Sequence, residues 1–490
     1  MTRRPAAPPA VAAPPFPATG RAAPLLVAWL VLAVAALLIL ALSLRHEIYS
    51  DEIEHVHAGW LVSHGQRPFT DFFEHHHPLF WYALAVVLPF TSQSASTLLT
   101  LRLLTLLPFA GIVLLCFRLA RLGSPSPQAA WLAAALLVSM SEFVRVAFQV
   151  RPDVPETLCV LGGVLLLPGA LDGGSRWRAL ASGGLLGLAF LFSLKAALPI
   201  AVVAAALGYR WRQGRVPAAL AVAFVAGCAA PAAGYAAYLA ASGGLRDYWV
   251  ANWALNAVVT GQKARVRAPQ PPVFVNAGFW LAAVPGVVWA ALRRTAPAGV
   301  RWAALVGSGV LLLLVLTGRT ESRSAVVTIP FLAVAAGFLI DDVSRRLRLS
   351  PWSTAAVLAA LCAAPLAEVA RDAGEDNRAQ LETIDFVLAR TPPGEPVYDA
   401  NGAFNVFRPD LHYFWFFVGP GRNLPLDAEV GRRQRAYLIS RLGPGSYDPC
   451  ALVARARPRI VSTHRIDLEA CGLAAAYRPT PHPGIFERRE

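Results

Sequence analysis

The run LLVAWLVLAVAALLILALSL, Leu25 to Leu44, is 20 residues long and carries no charge. A helix rises about 1.5 Å per residue, so about 20 apolar residues reach across the ~30 Å hydrocarbon core of a bilayer. In hydrocarbon every backbone N–H and C=O must be satisfied within the chain, which leaves such a run one conformation, the α-helix. Comparable runs recur, as in SGVLLLLVLTG, Ser308 to Gly318. Together they imply a polytopic α-helical membrane protein. Only 15% of the residues are charged, against about 25% in soluble proteins, and 56% are hydrophobic. Leu25–Leu44 is too long for the apolar region of a cleaved signal peptide and is followed by more spans, so it reads as an anchor.

The formal net charge of +14 raises nucleic acid as a partner. Its placement argues against that. Lys195 and Lys263 are the only lysines, and many arginines sit in short links between apolar runs, where the positive-inside rule puts cytoplasmic loops. Clusters fall at Arg3/Arg4/Arg21, Arg118/Arg121, Arg176/Arg178, Arg210/Arg212/Arg215, Arg293/Arg294/Arg301 and Arg345/Arg346/Arg348. If all six face the cytoplasm, neighbouring clusters are separated by even numbers of spans. Between Arg21 and Arg118 lie three apolar runs, so one does not cross. Pro78–Phe90 is the short one, and its Trp81 and Tyr82 suit the headgroup region; it is placed on the outer surface.

About 11 transmembrane helices are then expected, at roughly 24–44, 98–118, 127–147, 155–171, 178–194, 196–210, 216–241, 273–292, 302–318, 325–342 and 352–370. Residues 1–22, rich in Pro and Ala, read as a disordered cytoplasmic tail, 23–370 as the transmembrane domain with an outer loop at 45–97, and 371–490 as an extracytoplasmic domain. The abundance of arginine and alanine suggests a GC-rich bacterial genome and hence a bacterial cytoplasmic membrane. In the last domain GEPVYDANGAFNVF and PRIVSTHR read as short strands between Pro/Gly turns, giving a small α/β or α+β unit. Cys450 and Cys471 fall inside it. In an oxidising compartment they could pair, but spacing alone leaves that open.

Seven of the ten histidines occupy residues 46 to 77, in YSDEIEHVHAGW and DFFEHHHPLFWY, together with several carboxylates. With Ser50 as N-cap, the first stretch forms a helix with Ile53, Val56 and Trp60 on one side and Asp51 and His55 one turn apart on the other. That predicts an amphipathic helix on the bilayer presenting an acid and an imidazole. A carboxylate there can act as general base for a hydroxyl or amine; equally, Asp51 and Glu52 can merely complement the helix dipole. His55, His57, Glu74 and His75–His77 include enough N/O donors for zinc. Three consecutive histidines, however, do not point the same way on any regular structure, and no HExxH spacing occurs, so no metal and no cofactor is expected. Alternatively, the imidazoles hydrogen-bond a lipid phosphate at the headgroup level. After the third span FQVRPDVPET places Arg151 and Asp153 at a membrane boundary, where ionisable groups are functional candidates. The tripeptide RPD recurs at Arg408–Asp410 and is not specific by itself. Lys195, between two apolar runs, and Arg323, before the tenth span, are further outer-edge cations.

These residues resemble the GT-C superfamily of membrane glycosyltransferases: an acidic DE after the first span, then A…L…G…P…DFFEHHHPLFWY, then RPD after the third. The nearest likeness is to the family 39 branch, with its protein O-mannosyltransferases and aminoarabinose transferases, over about residues 24 to 345. The resemblance implies metal-independent, inverting transfer of a sugar from a polyprenyl-phosphate donor to an envelope lipid, glycan or protein acceptor on the outer face. It implies Asp51 as base or acceptor-positioning acid, Glu52 as its neighbour in the motif and Asp153 as the second outer acid. Glu74–Tyr82 corresponds to the family's E-[KH]-x-P-L stretch, whose basic residue is implicated in holding the donor phosphate. The chain departs from the pattern with His75 where aminoarabinose transferases have lysine and His77 where the family has the first of two prolines. GRTESRSAVVTIP is similar to the family's R-Y-x-x-P neighbourhood, with serine after Arg323.

In-line attack on a sugar phosphate needs a held acceptor, a base and cations for the departing phosphate. The acids above supply the base, and His75, His76, Lys195, Arg151 and Arg323 the donor-phosphate or substrate contacts. The rival reading is a lipid or sugar transporter without transferase activity. It would favour paired repeats and charges near the bilayer midplane, whereas these charges gather at the outer edge.

Overall fold

The structure, a computed structural model, describes residues 22–124, 126–255, 275–293, 295–317, 322–400, 402–413, 448–463 and 466–490. The expected tail therefore lies almost wholly outside the described residues. In chain order the helices are α1 Ala22–Arg45, α2 Ser50–Ser63, α3 Leu79–Val87, α4 Ser96–Arg121, α5 Pro127–Ser139, α6 Ser141–Ala147, α7 Asp153–Asp172, α8 Arg176–Phe192 and α9 Ala197–Arg212. They continue with α10 Ala218–Ser242, α11 Leu245–Trp249, α12 Ala277–Leu292, α13 Ala298–Leu316, α14 Ile329–Arg346, α15 Pro351–Asp372, α16 Arg378–Arg390 and α17 Pro449–Ala456.

Among the described residues eight helices are long and apolar enough to cross a membrane, and nine if the bent pair α5–α6 is one span. Each of the eleven expected segments is helical, but α8 and α12 are only 17 and 16 residues long, and α9 reaches 19 only with residues 194–196 before it. The expected span 127–147 consists of two helices bent by 73° at Met140. Charge explains the bend: Arg145 on α6 reaches Glu368 at 2.5 Å and Asp372 at 2.7 Å at the end of α15, an arrangement a straight continuation into hydrocarbon would forgo.

At the centre of the bundle α14 is buried almost all round, as a helix apolar on every face must be. Residues 322–328 lead into it, and α5, α12 and α13 pack around it. Close approach elsewhere depends on missing side chains. A Cβ on Gly183 of α8 would lie 2.1 Å from Phe224 O of α10, and one on Gly227 of α10 2.2 Å from Leu180 O. These two helices meet backbone to backbone, the way small residues drive helix association in lipid. By contrast α1 leaves Trp29, Leu30, Val34 and Leu37 exposed, a surface fit for lipid tails.

A second core sits at the end of the bundle, formed by Ile53, Val56, Phe69, Phe73, Trp81 and Leu98 with Ile384, Val387, Phe404, Phe407, Ile460 and Ile485 from the C-terminal region. That region carries a three-stranded antiparallel sheet in the order β1 (Ile460–Ser462), β3 (Ile485–Arg488), β2 (Tyr477–Pro479). Register pairs Val461 with Phe486 and Arg478 with Glu487. PRIVSTHR thus supplies a strand, whereas GEPVYDANGAFNVF does not. There the Asp399 carboxylate accepts the backbone N–H groups of Ala403, Phe404 and Asn405, turning the chain and leaving isolated bridges at Val397 and Tyr398. Cys450 and Cys471 form a disulfide.

The expectation for α2 is also corrected. It does not lie on a surface with one polar face: every residue from Glu52 to Leu61 is buried. The C-terminal region covers what the sequence pattern left open. His57 Nε2 meets Asp410 Oδ2 at 2.8 Å and His57 Nδ1 meets Val406 O at 3.1 Å. Gln380 closes on Ile48 through both its amide atoms, and Tyr413 O accepts from Phe73 N. The Pro78–Phe90 segment is helical for 12 residues, and its Val86 and Phe90 are exposed.

Candidate functional site

Three segments far apart in sequence bring their charges together where α2, α7 and the α8–α9 joint meet. Asp51 comes from the first turn of α2, where Glu52 Oε1 accepts the N–H of Tyr49 and fixes the helix start. Arg151 and Asp153 enter at the start of α7, with Pro152 between them suited to a helix beginning. Lys195 lies in the turn Leu194–Ala196, whose N–H is held by Ser193 Oγ at 3.3 Å.

Arg151 links both acids. Its Nη1 donates to Asp51 Oδ2 and its Nε to Asp153 Oδ2 at 3.1 Å. Lys195 Nζ donates to Asp153 Oδ1 at 2.5 Å. Burial tends to lower the Arg151 guanidinium, but Asp153 and Asp51 hold it above its ordinary value, so it is a fixed cation. The two acids differ in access. Both oxygens of Asp153 are taken and its side chain is 4% exposed, whereas that of Asp51 is 34% exposed. Of the two, Asp51 is the acid with surface left to meet a reactant.

Glu52 sits beside this network in another role. Arg102 donates to it from Nε at 2.9 Å and Nη2 at 2.5 Å, and Val150 N donates at 3.0 Å. Its carboxylate is filled with donors and buried. Arg102, an arginine in the apolar run 98–117, is the partner sequence reasoning passed over; its position there was the signal.

A second group of side chains lies one turn further along α2. Glu54 and Glu74 are fully buried, and each offers an oxygen within 4.8 Å of nitrogens on His75 and His76. The rule that consecutive histidines diverge applies to regular structure, and residues 74–77 adopt none. His76 Nδ1 lies 3.1 Å from Glu54 Oε1 and His75 Nδ1 3.9 Å from the same atom. Only His77 turns away, to Phe190 O on α8 at 2.5 Å. Burial pushes the Glu54 carboxyl up to about 8 and raises Glu74, which also feels Glu54. Burial draws the His76 imidazole down to about 4, so at neutral pH it is an uncharged ligand or hydrogen-bonding group. His55, expected beside Asp51, is buried and accepts Trp81 Nε1 at 3.2 Å. Among the described residues, Glu54, Glu74, His75 and His76 could therefore hold a metal.

Arg323 falls in the short helix Ser322–Ala325, but its side chain is outside the described residues, as is the loop with Lys263. The second RPD is structural. Buried Arg408 donates to Thr391 O, Leu388 O and Phe407 O, and Asp410 holds His57.

No protein-family profile and no curated protein matches the sequence. Solved structures do match the fold. ArnT from Cupriavidus metallidurans bound to undecaprenyl phosphate aligns with TM-score 0.55 and 15% identity, covering 89% of this chain and 96% of that one. The archaeal oligosaccharyltransferase AglB from Archaeoglobus fulgidus, in complex with an inhibitory peptide and a dolichol-phosphate, aligns with TM-score 0.52 and 13% identity over 94% of this chain and 74% of that one. Against the apo form of the Archaeoglobus fulgidus oligosaccharyltransferase the chain spans 58% of that protein's length and 74% of its own, at 14% identity and TM-score 0.47. At such identities the likeness is one of fold. The chain is a multi-pass helical membrane protein whose fold is like that of ArnT and AglB.

Proposed function

We propose that this chain is an inverting glycosyltransferase that moves a sugar from a polyprenyl-phosphate donor to a lipid, glycan or protein acceptor at the outer face of a bacterial cytoplasmic membrane. The observation that carries the reading is the chain Asp51–Arg151–Asp153–Lys195, which ends in one accessible acid and one partly exposed ammonium group. The bound lipid phosphates of ArnT and AglB support the donor class.

In the transfer an acceptor hydroxyl or amine attacks the anomeric carbon as the bond to the phosphate oxygen breaks. Asp51 takes the acceptor's proton. Lys195 and Arg151 face the negative charge that develops on the leaving polyprenyl phosphate, and in a water-poor site such preset charges are the larger share of catalysis. Asp153 is a positioning residue that aims both cations. Glu52 is one too, holding the α2 start through Arg102, and His75 and His76 border the donor side. Arg323 stays a proposed phosphate contact. Membrane lipids flank the site, and no nucleic acid is involved.

The outer placement rests on two supports. The C-terminal region packs on α2 through His57–Asp410, so both share one side of the membrane. The Cys450–Cys471 bridge suits an oxidising compartment. The test is mass spectrometry of envelope glycans and lipid-linked sugars in a deletion strain carrying wild type or Asp51→Asn at equal abundance. Restoration by wild type alone supports the assignment. Restoration by both removes Asp51 as the base, and no change on deletion favours a transporter.

A further inference from the structure

Two buried glutamates near the Asp51 network, Glu54 and Glu74, take no part in the transfer chemistry. We propose that Glu54, Glu74, His75 and His76 form a binding site for a first-row divalent metal ion of the zinc class.

The geometry points there first. A tetrahedral ion with bonds of 2.0–2.1 Å keeps its ligand atoms about 3.3 Å apart. Here His76 Nδ1 stands 3.1 Å from Glu54 Oε1 and 3.5 Å from Glu74 Oε2, and His75 Nδ1 stands 3.9 Å from Glu54 Oε1. All four ligand atoms lie within 4.8 Å of one another. Two oxygens and two nitrogens suit zinc and its neighbours, whereas magnesium and calcium take oxygen alone.

The second observation is that the two carboxyl groups are buried side by side. Glu54 and Glu74 are 1% and 0% exposed, and Oε1 of each lies buried with no aligned hydrogen-bond donor. Ionising two adjacent buried carboxyls without a cation costs several kcal/mol, roughly. The nearby arginine is already committed: Arg151 serves Asp51 and Asp153. A divalent cation would neutralise the pair.

The surroundings are built as metal sites are. With its amide nitrogen turned inward, buried Asn252 donates to His76 O at 2.9 Å and His75 O at 3.1 Å, pinning the backbone that carries both imidazoles. The His55 ring stands edge-on to His76 at 5.0 Å and is itself held by Trp81. Outer partners of this kind fix ligand orientation. The ion would tie α2 to the segment that leads into α3.

The inference does not depend on transferase activity, and its test reads metal directly. Full-length protein in detergent is stripped with EDTA, incubated with zinc sulfate, desalted and analysed for zinc by mass spectrometry, alongside Glu74→Gln and His76→Asn. Wild type should retain about one zinc per chain, with a higher melting temperature that EDTA reverses. Each variant should retain about tenfold less or lower still. Equal retention by wild type and variants means adventitious zinc, for instance on exposed His64, and overturns the site. If a variant does not fold, wild type decides alone: no retained zinc and no zinc-dependent shift in melting temperature overturns it, and leaves the two carboxyls sharing a proton.

Discussion

Arg102 closes on Glu52 with a two-pronged contact, Nε to Oε2 at 2.9 Å and Nη2 to Oε1 at 2.5 Å, and neither side chain reaches solvent. The same guanidinium donates to His46 O and Glu47 O, so one buried ion pair joins α4 to the link between α1 and α2. Removing one partner strands the other charge, at about 3–5 kcal/mol. Glu52→Ala should therefore lower the melting temperature sharply, while the double variant with Arg102→Met should regain part of the loss. Thermal unfolding of the three proteins checks this; additive losses would show that the two residues do not act as a pair.

Asp51 predicts the opposite combination. Its side chain is one-third exposed and its removal leaves Asp153 to neutralise Arg151. Asp51→Asn should keep the wild-type melting temperature yet reduce sugar transfer by roughly 10²–10⁴, the usual worth of a general base. A variant with full activity would move the base elsewhere.

Lys195→Met tests the leaving-group side. Losing one preset cation at a developing charge costs roughly 10²–10³ in rate. Because Lys195 also holds Asp153 Oδ1, Lys195→Arg is the control. Rescue by arginine with donor affinity unchanged separates charge stabilisation from packing. If methionine alters only the apparent affinity for polyprenyl-phosphate sugar, Lys195 binds the donor and no more.

Sequence periodicity made the bundle legible because an unbroken apolar run of about 20 residues satisfies its backbone in hydrocarbon only as a helix, and Leu25–Leu44 or Ser96–Arg121 could be nothing else. It also marked Asp51, Arg151, Asp153 and Lys195 one by one as candidates, since charges at span ends have few reasons to be there, but not that they meet. The burial of α2 was not legible. A 3.6-residue pattern tells which face is apolar, not what covers the polar one, and the cover here is Asp410, 353 residues from His57. Nor could the convergence of His75 and His76 be read, because it depends on a backbone without regular repeat. The bend at Met140 became visible only once Arg145 found Glu368 and Asp372.

The disulfide closes a separation of 21 residues between Cys450 and Cys471. In the chain-entropy account such a loop contributes about 3 kcal/mol to the unit that contains it. Cys450→Ser should make the C-terminal region more protease-sensitive while α1–α15 hold. A thiol reagent should label these two cysteines only after reduction. Labelling without reductant would refute the bridge.

His57 gives the C-terminal docking a pH dependence with a definite sign. Burial by itself lowers the imidazole, but Asp410, Val406 O and Asp399 outweigh it and place the folded value above 6.5. Burial likewise raises the Asp410 carboxyl, although His57 draws it down. Both groups therefore hold their protons more tightly when folded, and stability linked to them falls as pH rises. The His57 share is complete below the unfolded value of 6.5 and is lost as pH climbs through the folded one. His57→Gln keeps a hydrogen-bonding side chain but forfeits that share. The gap in melting temperature between wild type and His57→Gln should be wide near pH 6, where about three quarters of an ordinary imidazole is already charged, and narrow steadily toward alkaline pH. A gap that stays constant across that range would mean His57 is neutral in the fold, and that α2 and the C-terminal region are joined by packing rather than by charge.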